Sequence, residues 1–264
     1  MISSGEEYID SLRGRKLNVY LFGELIQDPV EHPIIKPSIN ALAKTYDLAN
    51  ENPDLATAVS PYTNERINRF LHIVESEKDL ILQNKMQRKL GQLTGTCFQR
   101  CVGMDAINSL HSVTYDIDQA NNTNYHKRFL SFLTSVQKQG LVIGGAMTDV
   151  KGDRSLLPHQ QEDPDLFVHV VDRNDDGVFI TGAKAHQTGV INSHWMIVMP
   201  TLRLTENDKE YAIVGAIPVD AKGITYIYGR QSGDTRHMDN TPIDAGNNNY
   251  AGQEALVIFD EVFI

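Results

Sequence analysis

The hydrophobic period of this chain changes once, at Gly140, and that change limits the fold more than any other feature. Ahead of Gly140, apolar residues recur at helical spacing: Tyr8, Ile9 and Leu12; Ile39, Leu42, Ala43, Tyr46 and Leu48; Leu80, Ile81, Met86, Leu90 and Leu93; Met104, Ile107, Leu110 and Val113. Behind it come short alternating runs broken by Asp, Asn, Gly and Pro: 141–143, 166–171, 177–181, 195–199, 211–214, 225–228 and 255–259. The chain is therefore expected to be α+β, with an N-terminal helical domain over 1–140 and a β-barrel or sandwich domain over 141–264.

Punctuation residues sharpen the helices. Ser4-Gly5-Glu6-Glu7 reads as a capping box, Pro37 as a helix start and Ser76 as an N-cap. Residues 64–74, with Ile67, Phe70, Leu71 and Val74 on one stripe, are expected to be helical, and a last helix over 124–138 should end at Gly140. Residues 19–23 read as an extended segment lying on the core.

Both cysteines, Cys97 and Cys101, lie four positions apart in Gly95-Thr96-Cys97-Phe98-Gln99-Arg100-Cys101-Val102-Gly103-Met104-Asp105. Near the start of a buried helix, that spacing puts both sulfurs on one face, where they can serve one metal centre or one substrate. Spacing alone fits two inert core thiols as well. The chain shows no secretory signal, so a disulfide is not expected. A formal charge of -10, from 34 acidic and 24 basic side chains, argues against nucleic acid as a partner. No apolar run nears the roughly 20 residues a membrane helix needs, so a soluble cytoplasmic protein is expected.

Three further stretches carry donors. The loop 147–155 offers Lys151, Gly152, Asp153 and Arg154 to a phosphate or a flavin edge, or is a solvated turn. Residues 182–194 hold His186, Gln187, Thr188 and His194 in what reads as a loop between strands, and Glu254 stands directly before an apolar strand. Such a carboxylate is a proton-transfer group if its surroundings tune it, and a surface acid otherwise.

Together with Asn124-Tyr125-His126-Lys127, Ala146-Met147-Thr148-Asp149, Gly182–Gly189, Ile227–Ser232 and Gly252–Leu256, these motifs closely resemble, in order and over essentially the whole chain, the 4-hydroxyphenylacetate 3-hydroxylase family. The resemblance is to its 4-hydroxybutyryl-CoA dehydratase branch. It implies an acyl-CoA dehydrogenase-like plan whose C-terminal helical bundle lies beyond Ile264, so the 264 residues read as the N-terminal portion of a larger enzyme, inactive alone. The aromatic-hydroxylase branch carries an Arg and a Tyr at the positions of Cys97 and Cys101 and needs reduced FAD from a reductase but no iron; it is the alternative reading.

By resemblance, the reaction converts 4-hydroxybutyryl-CoA to crotonyl-CoA, with the related isomerisation of vinylacetyl-CoA. It proceeds through a transient one-electron oxidation by FAD that acidifies the C3 proton, with a [4Fe-4S] cluster as Lewis acid at the departing hydroxyl. Cys97 and Cys101 would be two cluster ligands, and the remaining His and Cys would lie beyond residue 264. Glu254 would be the acid/base. Ala146, Met147, Lys151, Gly152, Asp153, Arg154, Gln187 and Thr188 would contact the flavin, with His186 and His194 as further contacts to flavin or substrate. The substrate partner would be an acyl-CoA thioester and the assembly a homotetramer.

Overall fold

A computed structural model describes residues 1–234, 241–242 and 244–264. Helix α1 (Gly5–Ser11) starts where expected, with the Ser4 hydroxyl accepting from Glu7 N at 3.1 Å. The strands β1 (Asn18–Leu21) and β2 (Glu24–Leu25) follow, then α2 (Lys36–Glu51), whose buried face carries Ile39, Leu42, Tyr46 and Leu48. After the short α3 (Pro53–Ala56) come α4 (Glu77–Thr94), capped by Ser76 and ended by left-handed Gly95, α5 (Cys101–Asn121), and α6 (Tyr125–Gln139), ended by Gly140 at φ 69°. No helix among the described residues is long and apolar enough to cross a membrane.

The stretch 64–74 is not the expected helix. Residues Thr57–Val59 (β3) pair with Arg66–Asn68 (β4) as a hairpin, and Arg69–Leu71 form a single 3-10 turn. Asn64 sits at φ 57°, which suits a tight turn and breaks a helix. The Asn68 carboxamide accepts from Phe70 N, and Arg69 donates into the carbonyls of Leu55 and Thr57 at 2.7 and 2.5 Å. The stripe Ile67, Phe70 and Leu71 is buried as its spacing demanded, but a strand and a turn bury it.

The second half of the chain supplies β5 (Ile143–Ala146), β6 (His169–Arg173), β7 (Val178–Thr188), β8 (Trp195–Val198), β9 (Gly215–Pro218), β10 (Ile224–Tyr228), the short α7 (Ala245–Asn249) and β11 (Glu254–Phe263). Two differences from the expected strands stand out. Residues 211–214 are not a strand: Tyr211 closes a 3-10 turn, stacks on His169 at 4.9 Å, and leaves the strand to begin at Gly215. The donor-rich stretch 182–188 is the second half of β7 rather than a loop, because its edge pairs with β11 from Gly182↔Phe259 to Thr188↔Glu254.

Six strands form one sheet in the order β2-β1-β10-β11-β7-β6, and three form a second in the order β5-β8-β9. Val19 and Leu21 face the same core as Tyr226 and Val257 of the larger sheet and Ala146, Met196 and Ile217 of the smaller, together with Ile39 and Tyr46 of α2. A second core lies between α5, α6 and the smaller sheet around Ile107, Leu133, Ile143 and Ile197. A third joins α2, α4 and the start of α5 through Leu48, Phe70, Met86, Leu90, Phe98 and Met104. Each such side chain contributes about 1.5–3 kcal/mol on burial.

Candidate functional site

The cysteines do not share a helical face as the spacing suggested. Helix α5 begins at Cys101, and Cys97 lies in the turn before it, because Gly95 (φ 64°) ends α4 and Gln99 (φ 63°) stops the helix from extending backward. The turn itself brings the sulfurs together. The Cys101 thiol donates to the Cys97 sulfur, Gln99 N donates to it at 3.4 Å, and these bonds pull the Cys97 thiol down to about 6. Cys101 is held up, by the proton it gives Cys97 and by burial. The arrangement favours ionisation at Cys97 over Cys101, and the thiolate is the form in which sulfur ligates metals. Only the first half of α5 is buried; Val113, Tyr115 and Ile117 are exposed.

The start of α5 is seated on β5 by small residues. A Cβ at Gly103 would come within 2.0 Å of the Ile143 carbonyl oxygen, and one at Gly145 within 2.3 Å of Val102 Cγ1. Nothing larger than glycine lets the helix approach this closely.

A cleft of about 660 Å³ opens beside Cys97, bounded by His186, Thr188, Gln231 and Glu254. This volume lies in the range of small-molecule sites. The pairing Glu254↔Thr188 sets these two side by side: the Thr188 hydroxyl donates to Glu254 Oε1 at 3.2 Å, and His186 Nδ1 lies 3.4 Å from Oε2. Both side chains are open, 53% exposed for Glu254 and 70% for His186. The backbone beneath is fixed. Gln231 Oε1 accepts from Glu254 N at 2.8 Å while its Nε2 donates to Glu254 O at 3.0 Å. His186 takes φ 56°, a conformation a non-glycine residue holds at a cost and one that clusters at functional sites. A proton can pass between the Glu254 carboxylate, the Thr188 hydroxyl and the His186 imidazole.

Of the residues singled out in the sequence, Cys97, Thr188, His186 and Glu254 converge on the cleft, with Cys101 directly behind Cys97. Ala146 and Gln187 are buried and do not line it: Ala146 belongs to the main core, while Gln187 Oε1 accepts from Met147 N at 2.9 Å and its Nε2 donates to Thr148 O at 3.0 Å. Lys151, Asp153 and Arg154 stand in solvent, and Gly152 is packed under Gln161, whose side-chain Oε1 accepts from Asp153 N at 3.0 Å. His194 belongs to the core. Its Nδ1 accepts from Val142 N at 3.0 Å, its Nε2 meets the Ser11 hydroxyl at 2.9 Å, and burial drops its pKa to about 3.

Sequence reasoning missed the buried pair Lys184–Asp149. Lys184 Nζ donates to Asp149 Oδ1 at 2.5 Å and to the carbonyls of Met147 and Met199 at 3.1 and 2.7 Å, while Asp149 Oδ2 accepts from Thr201 N and Oγ1, both at 2.8 Å. This pair roots the loop 147–155 in the β layer. The signal was present: along β7 the inward positions are Ile180, Gly182 and Lys184, and a lysine on an inward face requires an acid.

The donor set tests which groups fit here. Two adjacent thiol sulfurs fit half the four-ligand set of an iron–sulfur cluster, and the described residues hold no group of three or more His, Cys, Asp and Glu able to bind a metal. An open cleft walled by a β-bulge and ringed by Thr188, Gln231 and Ser232 fits the polar edge of a planar ring cofactor.

Helices leading into a two-sheet β layer, with a paired-thiol turn facing a carboxylate across a cleft, define an α+β chain. The model of the 4-hydroxyphenylacetate 3-hydroxylase N terminal matches residues 4–264, and the chain belongs to that family. It is 54% identical over its whole length to the 4-hydroxybutyryl-CoA dehydratase/vinylacetyl-CoA-Δ-isomerase of Clostridium aminobutyricum, covering 54% of that protein. Among solved structures it is similar to an oxygen-tolerant archaeal 4-hydroxybutyryl-CoA dehydratase from N. maritimus, at 67% identity and TM-score 0.96, over all of this chain and 53% of that one. The FAD complex of a 4-hydroxyphenylacetate 3-monooxygenase oxygenase component, at 21% identity and TM-score 0.82, shares the fold. The chain thus spans about half the length of the relatives it matches.

Proposed function

We propose that the chain carries the dithiol and flavin-facing half of a 4-hydroxybutyryl-CoA dehydratase that also isomerises vinylacetyl-CoA, in an acyl-CoA dehydrogenase-like architecture whose mainly helical 1–140 lends β1 and β2 to the β layer of 141–264. One observation carries this reading: Cys97 stands on the cleft that Glu254 lines, with Cys101 directly behind it as its hydrogen-bonding partner. The identity of 54% to a dehydratase, against 22% to the Geobacillus 4-hydroxyphenylacetate 3-monooxygenase component, supports this branch over the aromatic hydroxylase.

In this reading Cys97 and Cys101 would hold one side of a [4Fe-4S] cluster, and Thr188 and Met147 would contact FAD, with Lys151 and Arg154 available to its phosphates. Bound together, the two groups would supply one-electron oxidation of the acyl thioester and a Lewis acid for its hydroxyl. The Glu254 carboxylate takes the proton from the substrate carbon, oriented by the Thr188 hydroxyl and relayed through His186 Nδ1. With only two cluster ligands, residues 1–264 do not turn over alone; the complete enzyme is a soluble, cytoplasmic homotetramer.

The test is anaerobic production of the chain at the relatives' full length, with iron, acid-labile sulfide and FAD counted beside a Cys97→Ser/Cys101→Ser variant. About four irons per chain with FAD, and iron lost in the variant, is the expected result. FAD without iron in the unmutated protein would move the assignment to the hydroxylase.

A further inference from the structure

The residues between the two cysteines all point inward. Phe98, Gln99 and Arg100 are 9%, 3% and 2% exposed, whereas Cys97 is exposed. Arg100 lies between the rings of Tyr46 and Phe70, 4.8 and 4.9 Å from their centroids, and donates to the Thr45 hydroxyl at 3.0 Å. Gln99 is held left-handed by its own carboxamide, whose Nε2 donates to Ser38 O at 2.8 Å and whose Oε1 accepts from Asn192 Nδ2 at 2.7 Å.

These bonds continue to the other walls of the cleft. The Ser38 hydroxyl accepts from Asn192 Nδ2 at 2.9 Å and from Gln253 Nε2 at 2.7 Å, and gives its own proton to Ile35 O at 2.7 Å. Gln253 O in turn accepts from Gly189 N at 2.9 Å. Gly189, at φ 64°, leaves the space Gln99 fills: a Cβ there would lie 2.2 Å from Gln99 Oε1. Ser38, Gln99, Asn192 and Gln253 are each at most 3% exposed. Three members of the network therefore adjoin the three segments that line the cleft: Gln99 two positions after Cys97, Gly189 next to Thr188, and Gln253 next to Glu254.

Resting on the function proposed above, we propose that this buried amide–hydroxyl network fixes the separation of Cys97, Thr188 and Glu254, with Gln99 the positioning residue that holds the two sulfurs ready as a chelating pair before any metal arrives. A flexible dithiol must be ordered by its ligand, which weakens binding; a fixed one need not be. Gln99 and Ser38 touch no reacting atom and act only through the backbone of their neighbours.

Phenylarsine oxide tests this directly. Its arsenic(III) forms two As–S bonds with a near pair of thiols, and its oxygen leaves as water with both thiol protons, with no change of oxidation state. In the reduced, chelator-treated chain we expect one arsenical per wild-type molecule and none in Cys97→Ser. Gln99→Met and Ser38→Ala should bind about 10–100-fold more weakly, the range expected when a supporting shell is lost. Gln253→Met, cut on the far side of the network, should weaken binding less. A merely structural role would lower the melting temperature and leave the affinity of the folded protein alone. Unchanged affinity in whichever of the three variants fold overturns the proposal. The arsenical reads the sulfurs whatever they hold, so this outcome and the iron and flavin counts fail independently.

Discussion

The turn 97–101 and the loop 147–155 both look polar and functional in sequence, yet the molecule treats them in opposite ways. In the first, the polar side chains Gln99 and Arg100 are anchors sunk into the core, and what reaches solvent is sulfur. In the second, Lys151 and Arg154 reach solvent, and the only buried polar group is Asp149 at its root. One site is built in advance. The other presents charge whose position a bound ligand would have to fix, so polarity in a motif does not tell anchor from contact; burial does.

The largest expected effect lies at the root of the second loop. Lys184→Met leaves the Asp149 carboxylate buried without its cation and should cost about 3–5 kcal/mol of stability, read from the urea midpoint. Lys184→Met/Asp149→Asn should recover part of it. A loss below about 1 kcal/mol would make the root no firmer than an exposed salt bridge and erase the contrast.

A second test asks whether a half-buried polar residue tied into the fold by hydrogen bonds behaves as an anchor elsewhere. His194, with its pKa lowered to about 3 by burial, stays neutral in the fold while the unfolded chain takes up a proton near pH 6.5. The unfolded state then binds more protons, so stability falls as pH drops from about 6.5 toward 3, by up to about 1.4 kcal/mol per pH unit. His194→Gln should flatten that slope in urea titrations across this range. An unchanged slope would remove His194 from the anchors.

The smallest stability effect belongs to the loop tip. Lys151→Ala/Arg154→Ala should alter stability by no more than about 0.5 kcal/mol, because both side chains are exposed. Flavin retained through gel filtration should fall nonetheless in the full-length enzyme. Undiminished flavin would leave these cations as solvated charge.

Helix caps were legible in sequence because each is a local rule: Ser4, Ser76 and Gly140 all act as their neighbours demanded. The stripe Ile67, Phe70 and Leu71 announced burial but not its form, since a strand followed by a turn can bury the same residues as one helical face. Cys97 and Glu254 were readable from motif and meet at the cleft. The residues holding them were not. Gln99, Asn192 and Gln253 look like ordinary surface amides until chain segments far apart in sequence bring them onto Ser38.

The parallel pairing of β1 with β10, Asn18 against Thr225, also sets an order of events. During synthesis the N-terminal hairpin emerges long before its partner strand exists, and its open edge waits while some two hundred residues follow. The larger sheet can close only once β10 and β11 have left the ribosome. Pairing over so long a separation is slow and leaves strand edges open to association in the interval. Residues 18–25 thus depend on residues 224–263 for shelter, and a product cut short before β10 would have its helices made but its β1 edge unpaired.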